Sequence, residues 1–244
     1  MSTHVDNLKL RLMTIELLRT AKKQYTYRKL SEKTDLPVTV LSRYAKGHVL
    51  PNVARARQLW KILNKMVGLE VELHHRIEFN NEGYFDNTKI IGDYNILRQA
   101  AHFALATFAG KRVTKVLTAA VDGIPLATMV ASNMGINLVI AKRGKEVGVP
   151  AFIEETYVLS DSGVTDTLYV PRDIIRKRDS VLIVDDMIKT GETQMALVNL
   201  VRKAKAETSG IFSLIAWRKL EETTGSSVWV PVGGRDSDKA SGKE

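Results

Sequence analysis

Val181-Leu-Ile-Val-Asp-Asp-Met-Ile-Lys-Thr-Gly-Glu-Thr193 sets an apolar strand, a pair of carboxylates and a small-residue turn in immediate succession. Val181 to Val184 form an unbroken aliphatic run of the kind buried on both faces of a parallel sheet. Ligands of such sheets gather at the carboxyl ends of the strands, and Asp185 and Asp186 stand at that end. As acceptor-only groups they suit a sugar 2′,3′-diol, met directly or through a hydrated Mg2+, an ion content with one or two carboxylates. Thr190, Gly191 and Thr193 then turn the chain into a helix predicted to begin near Glu192. Backbone N–H groups in such a turn, with the positive end of the helix dipole, hold a phosphate. Asp185, Asp186, Met187, Ile188, Lys189, Thr190, Gly191, Glu192 and Thr193 therefore read as a cradle for a phosphorylated ribose.

Two aspartates after a strand also serve simply to solvate a loop, so the order of residues decides. Lys189-Thr190-Gly191 spells the Lys-Thr-Gly of penicillin-recognising enzymes, but the Ser-x-x-Lys and Ser-Asp-Asn that accompany it there are absent. The glycine-rich Gly-Lys-Ser/Thr loop of nucleoside triphosphatases is absent too. Four apolar residues, Asp-Asp, two apolar residues and Lys-Thr-Gly-x-Thr instead resemble the phosphoribosyl pyrophosphate (PRPP) motif of the type I phosphoribosyltransferases. That resemblance implies an α/β fold, a type I phosphoribosyltransferase-like parallel sheet with helices on both faces. It also implies PRPP or a related phosphoribosyl ligand, with Mg2+ at Asp185 and Asp186.

At 244 residues the chain suffices for two domains with proper cores. No apolar run approaches a membrane span, no signal peptide opens the sequence, and cysteine is absent, all of which fit a protein of the reducing cytoplasm. The net charge of +9 is unevenly spread. Residues 1–66 hold 14 Lys and Arg against 4 Asp and Glu, a net of +10, and the remainder nets −1. A basic first quarter is the electrostatic footprint of a nucleic-acid-binding module joined to something else.

Within that quarter, Leu8, Leu12, Ile15, Leu17 and Leu18 recur at helical spacing, predicting a helix over residues 7–23. A second helix starts near Thr26 and ends around Thr34, because Pro37 disfavours helical geometry at Leu36 and suits the first turn of a third helix to Ala45. Gly47 is a candidate C-cap, and Pro51-Asn52 introduces a fourth helix with Ala54, Leu59, Ile62 and Leu63 inward. Leu36 to Gly47 resembles the recognition-helix region of phage-repressor-type helix-turn-helix proteins, although Asp35 stands where that family has glycine and Ser31 where it has alanine. The resemblance places Val38, Thr39, Ser42 and Arg43 against base edges and Lys46 and His48 near phosphates. The plain alternative is a helical bundle used for dimerisation.

Residues 67–88 read as a connector. Val67, Leu69, Val71 and Leu73 alternate with Gly68, Glu70 and Glu72 as in a short strand, and Asn80-Asn81-Glu82-Gly83 is a turn. His74-His75 would then point to opposite faces and bind no metal. The ligand-binding domain spans residues 89–232, and the polar tail 233–244 is expected to be disordered. Asp122-Gly123 follows a strand beginning at Lys115, and a glycine there lets the backbone approach a phosphate. It resembles the pyrophosphate loop of phosphoribosyltransferases. Lys142, Arg143 and Lys145 end the next strand as candidate diphosphate contacts. A hairpin is expected from Tyr157 to Val170, where the resembled family carries a flexible flap. Trp229 in a last strand serves either as a ligand roof or as core.

In 6-oxopurine transferases the residue before Thr-Gly is an aspartate; Lys189 stands here, and a lysine cannot act as that base at neutral pH. With the basic N-terminal domain, the chain looks like the PRPP-sensing purine-operon repressors of bacteria. The Leu117 to Ala127 run and Tyr84-Phe-Asp86 resemble the archaeal orotate-phosphoribosyltransferase-like regulators more closely. The resemblance implies a regulator of transcription that binds double-stranded DNA as a homodimer and senses a ribose phosphate. The alternative is an active orotate or purine-salvage phosphoribosyltransferase with an accessory nucleic-acid-binding domain.

Overall fold

Pro37 and the two residues before it fix the geometry of the N-terminal helices. The computed structural model describes residues 4–77, 86–160, 163–216 and 227–233, divided between two compact units, Met1–Glu78 and Phe79–Glu244. The first unit contains α1 (His4–Gln24), α2 (Tyr27–Thr34), α3 (Val38–Ala45), α4 (Val53–Val67) and α5 (Leu69–Arg76). Thr26 caps α2 by accepting from the Lys29 amide, and Asn52 caps α4 by accepting from Arg55 at 2.8 Å. Between α2 and α3 Asp35 adopts φ 54° and ψ 39°, the left-handed conformation. Asp tolerates this region better than most residues, which is why it can replace glycine in the turn. Ser31 Oγ donates to the Leu36 carbonyl at 2.6 Å and staples the same turn. Leu17, Leu18, Leu30, Leu36, Leu41, Leu59 and Leu63 form the core that locks these helices together, with Tyr44 packed against it.

Three expectations are corrected in this unit. Leu8 and Leu12 are 40% and 47% exposed, because the packed face of α1 is set by Thr14, Leu17, Leu18 and Ala21 and the earlier leucines fall on the opposite side. Ala54 is exposed and Ala56 takes the inward position on α4. Residues 69–76 are the helix α5 and not a strand. Leu69 and Leu73 sit one turn apart and both are buried, while Glu72 is buried because Gln24 donates to it and Arg76 pairs with it. His74 and His75 are exposed on this helix. The turn expected at 80–83 and the tail beyond Gly233 lie outside the described residues, as do Tyr84 and Phe85.

The second unit is built on a parallel sheet of β1 (Lys115–Ala119), β2 (Asn137–Ala141), β5 (Ser180–Ile188), β6 (Glu207–Ala216), β7 (Val228–Trp229) and β8 (Val232–Gly233). Its order is β2-β1-β5-β6-β7, with β8 also pairing β6. β5 is buried along its length save for Met187, as its aliphatic run requires. The helices are α6 (Thr88–Ile91), α7 (Tyr94–Thr107), α8 (Ile124–Met134) and α9 (Glu192–Lys203). From β1 the chain moves outward through α8 to β2, and from β5 it moves the other way through α9 to β6. Right-handed crossovers in opposite directions put α8 and α9 on opposite faces and make β1 and β5 the point where the sheet order reverses. The type I phosphoribosyltransferase-like α/β fold expected from sequence is the one observed.

β3 (Phe152–Val158) and β4 (Thr165–Pro171) form the expected antiparallel hairpin, joined to β2 by reciprocal bonds between Lys142 and Tyr169. Trp229 is half-buried and stacks on Phe103 at 3.9 Å and on the buried Phe212 at 5.3 Å, so it packs against the edge of the core. No helix among the described residues is long and apolar enough to cross a membrane. Asp35→Val is expected to destabilise the N-terminal unit by about 1–2 kcal/mol, the cost of a left-handed β-branched residue, whereas Asp35→Gly leaves stability equal or raised. Urea unfolding followed by far-ultraviolet circular dichroism distinguishes the two; equal midpoints would remove the turn's dependence on this residue.

Candidate functional site

The reversal point places the loop after β1 beside the end of β5. Asp185 and Asp186 sit there, 7% and 8% exposed, within the strand and not beyond it. Asp185 accepts from Gln194 Nε2 at 2.6 Å and from the Asp186 amide at 3.1 Å. Asp186 accepts from Asn87 Nδ2 at 2.6 Å. Burial, and for Asp185 the neighbouring Asp186 charge, hold both carboxyls above the usual carboxylate range; Asp122 adds to the effect on Asp186. Such a pair favours an arriving cation or hydroxyl donors. Gly123, at the start of α8, passes so close that a Cβ there would lie 2.4 Å from Thr118 Oγ1 and 2.6 Å from Asp185 Oδ1. The glycine is therefore required by the close approach of this loop to β1 and β5.

Lys189, Thr190 and Gly191 turn the chain, with Gly191 at φ 96°. No side chain caps α9, which leaves the amides of its first turn to an external acceptor. A cavity of about 380 Å3 opens here and brings together the candidates Asp122, Asp185, Asp186, Met187 and residues 189–193 in its lining. Asn87, Leu159 and Gln194 join them. Asn87 lies 99 positions from its partner Asp186, and nothing local in the sequence announces that contact. Gln194 follows the motif directly and faces back along the first turn of α9, a placement its position alone suggests. Ile188 is wholly buried beneath the cavity and does not line it.

The three cations after β2 do not converge. Arg143 reaches the cavity and pairs with Asp166 at 2.9 Å. Lys142 pairs with Glu146, and Lys145 pairs with Glu154 at 2.7 Å and lines a different pocket. Their side chains leave a turn in different directions, so adjacency in sequence misleads. Tyr157 OH donates to the same Asp166 carboxylate at 3.3 Å, and burial pushes its hydroxyl pKa up. Ser160, at the hairpin tip, donates to Glu192 at the start of α9. The hairpin therefore reaches the cavity through Leu159, and Ser160 ties it to α9. Asp185 and Asp186 fit a hydrated Mg2+, but among the described residues no cluster of three or more metal-type ligands forms. An ion here would be completed by ligand oxygens.

The phosphoribosyl transferase domain family matches residues 87–230. The chain belongs to this family. The purine biosynthesis transcriptional repressor PurR of Bacillus subtilis is 29% identical over 140 residues, 57% of this chain and 49% of the repressor. Xanthine phosphoribosyltransferase of Lactococcus lactis is 30% identical over 125 residues, 50% of this chain and 63% of the enzyme. The chain thus spans about half to two thirds of the curated relatives it matches. Among solved structures, adenine phosphoribosyltransferase from Thermoanaerobacter pseudethanolicus superposes with a TM-score of 0.61 at 18% identity, over 67% of this chain and 99% of that one. The enzyme from Rhodothermus marinus gives 0.58 at 27% identity, over 68% and 98%.

The phosphoribosyltransferase domain follows a helical unit that lies before the matched residues. On that unit Val38, Thr39, Arg43, Lys46 and His48 are exposed on and just after α3, and Ser42 is half-buried. Lys46 C-caps the helix and Gly47 follows at φ 79°.

Two outcomes follow from the carboxylate pair. Gly123→Ala forces Asp185 to move and is expected to cost about 1–3 kcal/mol of stability, with loss of ribose-phosphate binding in calorimetry; unchanged binding would separate this loop from β5. Because both carboxyls keep their protons to higher pH in the folded protein, the stability linked to them is complete below pH ~4 and is lost as pH rises through the raised folded values. Asp186→Asn is therefore expected to raise the unfolding free energy at pH 7. Urea midpoints at pH 5 and 7 check this: the gain should shrink toward pH 5, and a gain of equal size at both would exclude the charge as its cause.

Proposed function

We propose that this protein is a DNA-binding regulator of transcription whose phosphoribosyltransferase domain senses PRPP or a related ribose phosphate. The observation that carries the reading is a cavity that joins Asp185 and Asp186 to the uncapped first turn of α9, in a chain whose other unit is basic and exposes a short helix across a stapled turn. Similarity to the Bacillus subtilis purine repressor supports it. In this reading the 5′-phosphate meets the first-turn amides of α9 and the hydroxyls of Thr190 and Thr193. The ribose hydroxyls meet Asp185 and Asp186, with Mg2+ shared between carboxylate and ligand oxygens. Arg143 receives diphosphate oxygens, and the hairpin tip covers the ligand. Val38, Thr39, Ser42 and Arg43 read base edges while Lys46 and His48 hold phosphates. Two copies bind paired half-sites, and the ligand shifts DNA affinity by no more than its differential affinity for the two arrangements of the dimer.

A second reading is an active phosphoribosyltransferase, favoured by the match to xanthine phosphoribosyltransferase. Lys189 argues against 6-oxopurine transfer, since that position faces the cavity and carries no acid. Calorimetric titration of PRPP with Mg2+ into the protein and into Asp185→Asn/Asp186→Asn decides between them when the mixtures are then assayed for diphosphate release with each nucleobase. Binding lost in the variant, without turnover, is the expected result; turnover makes the protein an enzyme. For the DNA arm, Arg43→Ala is expected to cost about 1–3 kcal/mol at particular base pairs and Lys46→Ala to weaken all duplexes alike. Equal losses on every sequence for both would sink the recognition-helix assignment.

A further inference from the structure

The strands of the phosphoribosyltransferase domain have two ends, and the end away from the cavity is strongly basic. Three loops meet there. Thr114 N–H donates to the Ser180 carbonyl at 2.8 Å and its hydroxyl to Asp179 at 2.9 Å. The Glu207 amide donates to the Asp179 carbonyl at 3.0 Å, and Ser209 Oγ to the Arg112 carbonyl at 3.0 Å. Residues 109–115, 172–179 and 202–207 are thereby held together before β1, before β5 and after α9. They contain ten Lys and Arg against three Asp and Glu. The whole unit from Phe79 holds 21 Lys and Arg against 20 Asp and Glu, so one end of a nearly neutral domain concentrates its positive charge.

The negative end of the α9 dipole accounts for Arg202 and Lys203, and local pairing for Lys115, but neither accounts for the rest. Lys115 faces Asp179 at 4.0 Å, and Lys203 pairs with Glu155 at 2.5 Å. Arg112, Arg172, Lys177, Arg178 and Lys205 are exposed and make no side-chain hydrogen bond or ion pair among the described residues. Lys205 also holds φ 59°, a left-handed conformation that glycine or asparagine would adopt with less strain. A cation is kept there against the backbone's preference.

We infer that this end of the domain is a second nucleic-acid surface, which binds the phosphate backbone of duplex DNA without reading its sequence. Exposed cations, unpaired among the described residues, on loops tied to one another match a row of phosphates. The three loops contain no aromatic residue, which leaves single strands nothing to stack on. Ile174, at 39% exposure, is their sole exposed large hydrophobic side chain, too little for insertion into a bilayer.

The test uses the full chain and a 30-base-pair duplex of arbitrary sequence, by fluorescence anisotropy across a salt series. Arg176→Ala/Lys177→Ala/Arg178→Ala is expected to weaken binding at least tenfold at about 0.1 M salt and to reduce the slope of log K against log salt by about 2–3. Lys205→Gly, which removes a charge while relieving the backbone, is expected to weaken binding with no loss of thermal stability, so charge and folding are separated. Arg43→Ala/Lys46→Ala serves as the control for the helical unit. If only that control loses binding, and the triple variant superimposes on wild type at every salt concentration, the second surface is refuted while the helix-turn-helix reading stands. Loss in the triple variant alone supports the surface and refutes the other. Tighter binding to single-stranded RNA or to anionic phosphatidylserine vesicles than to duplex overturns the proposal.

Discussion

Two carboxylates buried side by side at the end of the central strand are the constraint around which the phosphoribosyltransferase domain is arranged. Like charges withdrawn from water repel, and each such group costs several kcal/mol unless its hydrogen-bonding capacity is met. Every element near them supplies part of the answer. α9 contributes Gln194 to Asp185, the segment before α6 contributes Asn87 to Asp186, and the start of α8 comes close enough that only glycine fits at position 123. What these donors leave unsatisfied faces the cavity. The site is thus held in a form whose remaining electrostatic need is matched by a cation or a polyhydroxyl ligand.

The mouth of the cavity depends on a second shared carboxylate. Asp166 on β4 takes both the Arg143 guanidinium and the Tyr157 hydroxyl, so a cation from the sheet and a hydroxyl from the hairpin answer to one residue. The hairpin's base is tied to β2 through Lys142 and Tyr169, and among the described residues its far end is bonded to α9 through the side chains of Ser160 and Glu192. Motion of the tip therefore needs no break in a backbone ladder of the main sheet.

Much of this was legible in the sequence because the informative features are local. The aliphatic run at 181–184 fixes a central strand, the small-residue turn fixes the start of α9, and Pro37 fixes the break between α2 and α3. The failures are equally physical. Alternation between Val67 and Leu73 satisfies a strand, yet Leu69 and Leu73 also share a helical face, and the helix is favoured by the Glu72–Arg76 pair one turn apart within it and by Gln24, which meets Glu72 from α1. Leu8 and Leu12 fit the period of α1 but not the side on which α4 packs. Asn87 escaped because its partner is remote in the chain, and Lys142 and Lys145 misled because side-chain direction, which decides convergence, is not written in spacing.

The polarity of the parallel sheet has a kinetic consequence. The acidic cavity lies at the carboxyl end of β5 and the basic loops at its amino end, a strand of nine residues apart, or about 26 Å at the usual rise. An extended polyanion held at the basic end leaves the opposite opening facing solvent. On the proposed reading, small molecules can then enter and leave while a large partner stays in place, so the speed of any response to the ligand would be set by ligand exchange and hairpin motion, not by the residence time of the polymer.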